Sequence, residues 1–66
     1  MSFSQKIKYL REQKALTQKE LANLVDVSQP TIAQYEMGIK IPTIVIGVKL
    51  AKVLDTTCEE LLSDTP

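Results

Sequence analysis

Apolar residues recur at spacings of three and four in five separate stretches, and no stretch alternates as a convincing strand would. The first predicts a helix over about 4–14, with Ile7 and Leu10 facing inward beside Phe3 and the stem of Lys14. Ser2 or Ser4 is placed to cap it. Thr17-x-x-Glu20 is a capping box opening a second helix over about 18–25. Its stripe is Leu21, Leu24 and Val25, and Ala22 is small enough to let another helix approach. Asp26 and Val27 form a turn. Ser28 then caps a third helix, about 29–37, with Pro30 in the first turn, where a missing N–H costs nothing. Ile32 and Tyr35 point inward, and Gly38 ends the helix at positive φ.

Pro42 forces the preceding residue into extended geometry, so 39–43 is a loop. Thr43 caps a fourth helix, about 44–54, with Ile44, Val48, Ala51 and Leu54 as its core stripe. Gly47 in its interior costs about 1 kcal/mol relative to alanine. Thr57-x-x-Glu60 is a second capping box, opening a short helix over about 58–62 that carries Leu61 and Leu62. The tail Ser63-Asp64-Thr65-Pro66 is expected to fray. The expected fold is a compact all-α bundle of five helices in a single domain, 1–66.

Composition narrows the function. A chain of 66 residues builds a small core and leaves no room for a deep catalytic pocket or an effector domain, so no small-molecule ligand is expected. No apolar run approaches the length of a membrane span, and the N-terminus lacks the apolar centre of a signal peptide. A single cysteine, Cys58, allows no internal disulfide and suits a reducing cytoplasm; it reads as a small buried apolar residue. Without histidine, and with one cysteine, neither a zinc site nor a nucleophilic triad can be assembled. Two glycines exclude a phosphate-cradling loop. No enzyme, cofactor or metal is expected. Net charge is zero but unevenly spread. Residues 1–19 hold Lys6, Lys8, Arg11, Lys14 and Lys19 against Glu12 alone, while 53–66 hold Asp55, Glu59, Glu60 and Asp64 with no base. A basic front half of this kind attracts phosphate locally even when the total is neutral.

The ordered string Thr17-Gln18-x-Glu20-Leu21-Ala22, then Val27-Ser28, then Ile32-x-x-Tyr35-Glu36-x-Gly38 resembles the lambda-repressor/Cro-like helix-turn-helix family, also called the xenobiotic-response-element family. Pro42 and Leu50-Ala51 extend the resemblance, which covers about residues 4–62. It implies that the third helix enters the major groove of duplex DNA. Carried over by position, Gln29, Thr31 and Gln34 face the bases, and Pro30 offers only apolar contact. Glutamine suits adenine, and threonine offers a hydroxyl or a methyl. Gln18 meets a phosphate and braces the reading helix; Lys19 and Lys40 meet the backbone; the Tyr35 hydroxyl reaches phosphate or else the ring is purely core. Arg11 and Glu36 match a pair that the family joins by a salt bridge.

This chain departs from the family pattern at four positions. Asp26 and Asp55 stand where glycine is usual, Pro30 where a reading side chain is usual, and Gly47 where leucine is usual.

Ile39, Ile41, Ile44, Val45, Ile46 and Val48 are more apolar surface than one small core can bury. Such a patch marks an interface. Ile44, Val45, Ile46 and Leu62 are the expected contacts of a two-fold homodimer, which would set two reading helices about 34 Å apart on a palindromic operator. The resulting expectation is a bacterial or phage transcription regulator, a repressor by preference. The competing expectation is a helical interaction module, or an antitoxin-type protein that binds a partner and not DNA.

Overall fold

The computed structural model describes residues 1–62. Five helices follow in order: α1 Phe3–Gln13, α2 Gln18–Leu24, α3 Gln29–Glu36, α4 Ile44–Val53 and α5 Cys58–Leu62. No strand occurs among the described residues. The expected tail at 63–66 lies outside them. α2 packs most extensively on α3, α1 lies across α3, and α5 closes against both α1 and α4. Ile7, Leu21, Val25, Ile32, Leu50 and Leu61 are fully buried at the centre, with Ala22, Tyr35, Ala51 and Leu54 around them. Phe3, Leu10, Leu16, Val27, Ile46, Val53 and Cys58 pack on this core from outside.

Local chemistry starts each helix. Ser2 and Gln5 form a full capping box on α1, and Thr17 and Glu20 one on α2. The Thr17 backbone N–H and hydroxyl together hold the Glu20 carboxyl below its ordinary pKa. A lowered carboxyl pKa supplies stability above the unfolded value and loses it as pH falls through the folded one. Thr43 Oγ1 accepts from Ile46 N, and Thr57 Oγ1 accepts from Glu60 N. Ser28 is a correction. It occupies the N-cap of α3, but its hydroxyl makes no cap bond and pairs with the Thr31 hydroxyl at 2.8 Å. Backbone N–H groups of Thr31 and Ile32 bond the Ser28 carbonyl instead.

The helix ends share one device. α1, α2, α3 and α4 each close with a six-residue turn in which two N–H groups beyond the helix return to carbonyls of its last turn. The turn needs one left-handed residue. Gly38 supplies it after α3 at φ 75°, while Ala15, Asp26 and Asp55 supply it elsewhere at φ 55°, 59° and 57°. The two aspartates each face a lysine, Asp26 with Lys49 and Asp55 with Lys14. Ala15 has no such compensation. A left-handed non-glycine residue costs about 1–2 kcal/mol, partly offset in a glycine variant by a freer unfolded chain. Ala15→Gly is therefore expected to gain about 0.5–1 kcal/mol and to raise Tm by roughly 2–8 °C. Thermal unfolding followed by circular dichroism checks this.

Two apolar stripes are set differently from the sequence pattern. In α2 the buried set is Leu21, Ala22 and Val25, and Leu24 lies past its edge, 55% exposed. In α4 the inward residues are Gly47, Leu50, Ala51 and Leu54, while Ile44 and Val48 are exposed. The stripe is rotated so that Gly47 sits on the buried side. A Cβ built on Gly47 meets nothing within 4 Å. Gly47→Ala is thus expected to stabilise the fold by about 1 kcal/mol through helix propensity alone, measured by urea unfolding.

Candidate nucleic-acid interface

α2, the turn at 25–28 and α3 form a tight two-helix unit. The turn is held by Val27 N to the Ala22 carbonyl at 3.0 Å, with Val27 packed on the core and Asp26 left-handed. Ile32 and Tyr35 fasten α3 from beneath, so its outer side stands clear of the body. Gln29 and Pro30 are exposed, and Thr31, Ala33 and Gln34 are half-buried. The four expected base-facing residues thus lie on or beside the outer face of one helix. Met37, just past the helix end on the same side, is 64% exposed.

A buried polar network fixes α3 from its far end. Arg11 Nε donates to Glu36 Oε2 at 2.6 Å and Arg11 Nη2 donates to Glu36 Oε1 at 3.2 Å, a two-pronged pair. Arg11 Nη1 donates to the Leu16 carbonyl at 2.7 Å, and Gln18 Nε2 donates to Glu36 Oε1 at 3.1 Å. The network therefore ties α1, the α1–α2 turn, the first residue of α2 and the last of α3 into one unit. The two charged side chains are only 12% and 5% exposed. The bond to Glu36 raises the Arg11 pKa above its ordinary value, outweighing the opposing effect of burial. Every buried side-chain nitrogen and oxygen among the described residues has a hydrogen-bond partner. The Leu16 carbonyl was not foreseeable from sequence; it becomes an acceptor because the left-handed Ala15 turns the chain under Arg11.

One expectation is sharpened here and one changes. Tyr35 is 4% exposed and meets Phe3 edge-on, with ring centroids 6.5 Å apart, so its ring belongs to the core. Burial pushes its phenol pKa up, keeping it neutral. The basic front half also fails to survive folding as a free patch. Arg11 is spent on Glu36, Lys14 pairs with Asp55, and Lys6 Nζ donates to the Glu60 carbonyl at 2.9 Å. One ion pair, Lys14 with Asp55, joins the basic front half to the acidic end, while Lys8 and Lys19 stay exposed without an ion pair among the described residues. Beside the two-helix unit, Lys19 and Lys40 are exposed and make no ion pair among the described residues.

α2, the turn at 25–28 and the exposed outer face of α3 define a helix-turn-helix protein. The chain belongs to the helix-turn-helix family of Cro and lambda-repressor type, whose family model matches residues 7–61. It is 40% identical over 63 residues to the cryptic phage CTXphi transcriptional repressor RstR of Vibrio cholerae, covering 96% of this chain and 57% of that protein. Its fold is similar to that of the P22 c2 repressor in complex with a synthetic operator, at a TM-score of 0.94, 25% identity and 98% coverage of each chain. It also resembles the restriction-modification controller protein C.AhdI of Aeromonas hydrophila, at a TM-score of 0.83, 33% identity and 91% coverage of each chain. The chain spans about half the length of the curated relatives it matches. These relatives are transcription regulators and not enzymes. No described helix is long and apolar enough to cross a membrane.

Proposed function

We propose that this chain is a sequence-specific DNA-binding regulator of transcription, a repressor, that sets α3 into the major groove as a homodimer on a palindromic operator. The observation that carries this reading is the two-sidedness of α3. Its inner side is locked by Ile32, Tyr35 and the Arg11–Glu36–Gln18 network, and its outer side presents Gln29, Pro30, Thr31 and Gln34. A helix held this rigidly can present polar side chains to base edges with little loss of conformational entropy. Lys19, Lys40 and the remaining donor capacity of Gln18 serve the phosphates.

Dimerisation rests on the apolar surface after α3. Ile39, Ile41, Ile44 and Val45 are all strongly exposed, Ile41 by 77%, and Leu62 is half exposed. Ile46, partly buried against the core of its own chain, offers less surface to this interface than Ile44 and Val45. Sedimentation at tens of micromolar is expected to show a dimer; a monomer there would remove this part of the proposal.

The phosphate contacts make a numerical prediction. Lys19 and Lys40 in each of two subunits give a slope of log affinity on log salt of about −3 to −4. Five free bases per subunit would give about −9. A salt titration of duplex binding by gel shift separates the two, and a complex indifferent to both salt and sequence would count against DNA binding. In that event the exposed isoleucines favour the second reading, an antitoxin-type module that binds a protein partner.

A further inference from the structure

α3, Gln29–Glu36, contains neither lysine nor arginine. Its one acid, Glu36, is 5% exposed and held by Arg11 and Gln18, so it is withdrawn from any ligand outside. Counting turns from buried Ile32 and Tyr35, the opposite face carries Pro30, Ala33, Gln34 and Met37 at i, i+3, i+4 and i+7. Gln29 is exposed at the helix start. The Ser28 and Thr31 hydroxyls are engaged with each other at 2.8 Å.

Each base pair shows the major groove its own pattern. Guanine is read chiefly by arginine or lysine and the cytosine amino group by a carboxylate; adenine is read by glutamine or asparagine, and the thymine methyl by an apolar side chain. The outer face of α3 holds two glutamines and an apolar strip, with nothing charged. We propose, on the reading of α3 as the groove-entering helix, that each half-site is A·T at the positions read. In it, Ala33 is a specificity-determining residue that joins Pro30 in packing on thymine methyl groups. Gln29 and Gln34 take the adenines. Discrimination is then shared between hydrogen bonds and methyl contacts, which explains how a proline in the first turn of α3 is compatible with sequence reading.

Selection from a library of random duplexes, followed by replacement of each thymine in the recovered site by uracil, tests this. Half-sites with A·T at the core positions are expected. Each methyl removed under Pro30 or Ala33 should lower affinity about fourfold, the worth of one buried methyl group. Ala33→Arg, a change on the outer face, should keep the melting temperature and bring guanine into the selected half-site. Obligatory G·C pairs at the core positions, or affinity unmoved by uracil, overturn the assignment of A·T reading alone. Failure to enrich any sequence overturns it together with the reading of α3 on which it rests.

Discussion

Arg11→Met is expected to cost about 3–5 kcal/mol of folding free energy. The loss is large because it strands a charge. Glu36, 5% exposed, would keep its carboxylate in the interior with only the Gln18 amide to solvate it. The Leu16 carbonyl would lose its donor at the same time. A domain of this size has a total stability of about 3–10 kcal/mol, so the variant is expected to be partly unfolded at 25 °C. Replacing both partners, Arg11→Met with Glu36→Leu, should recover most of the loss, because no unpaired charge remains. Urea unfolding of the wild type, the single variant and the double variant gives the result directly. A single-variant loss below about 1 kcal/mol would place the pair among solvent-exposed salt bridges and remove the network as the brace of α3.

The second large effect falls on binding. Gln29→Ala and Gln34→Ala should each weaken binding to a selected operator by about 1–3 kcal/mol, roughly 5- to 150-fold. The double variant should fall close to the affinity for unrelated DNA. Both residues lie on the solvent side of α3, and no side-chain hydrogen bond of either holds the fold. Unfolding midpoints should therefore stay within about 0.5 kcal/mol of the wild type, the range of ordinary surface changes. Anisotropy titrations with selected and unrelated duplexes check the first point, and urea melts check the second. Equal losses on both duplexes would turn these glutamines into phosphate contacts; unaltered affinity would remove them from the interface.

The features legible in the sequence are those set within a few residues. Thr17-x-x-Glu20 forms its full box, Gly38 takes the positive φ, and Pro30 sits in the first turn of α3. Asp26 and Asp55 take the left-handed conformation that the family resemblance implied by setting them where glycine is usual. What the sequence did not disclose depends on neighbours distant along the chain. α4 turns its Gly47 side inward because the core beneath it is filled by Leu50, Ala51 and Leu54; the isoleucine and valines on its other side looked equally fit for burial. Lys14 and Lys6 read as free bases until α5 and the turn before it are packed against α1. The Thr57 box forms by its hydroxyl, and the Ser28 hydroxyl prefers Thr31, because a hydroxyl near a helix start has more than one acceptor within reach. The left-handed Ala15 has no sequence signal, since alanine does not mark such a position.

The charge result changes how the interface is understood. With Arg11 held by Glu36, and Lys14 and Lys49 in surface ion pairs, fewer cations remain free to attract phosphate than the sequence implies. Affinity then has to come from base contacts and from pairing of two subunits more than from the general field. That makes the outer face of α3 the place where the function stands or falls.

Titration of isotopically labelled protein with a selected operator duplex, followed through backbone amide shifts, tests this most directly. Shifts concentrated at 17–19, 28–34 and 40, with α1 and α5 unmoved, are the expected result. Shifts concentrated on α1 and α5, or none on saturation with duplex, would contradict a role for α3 in reading DNA.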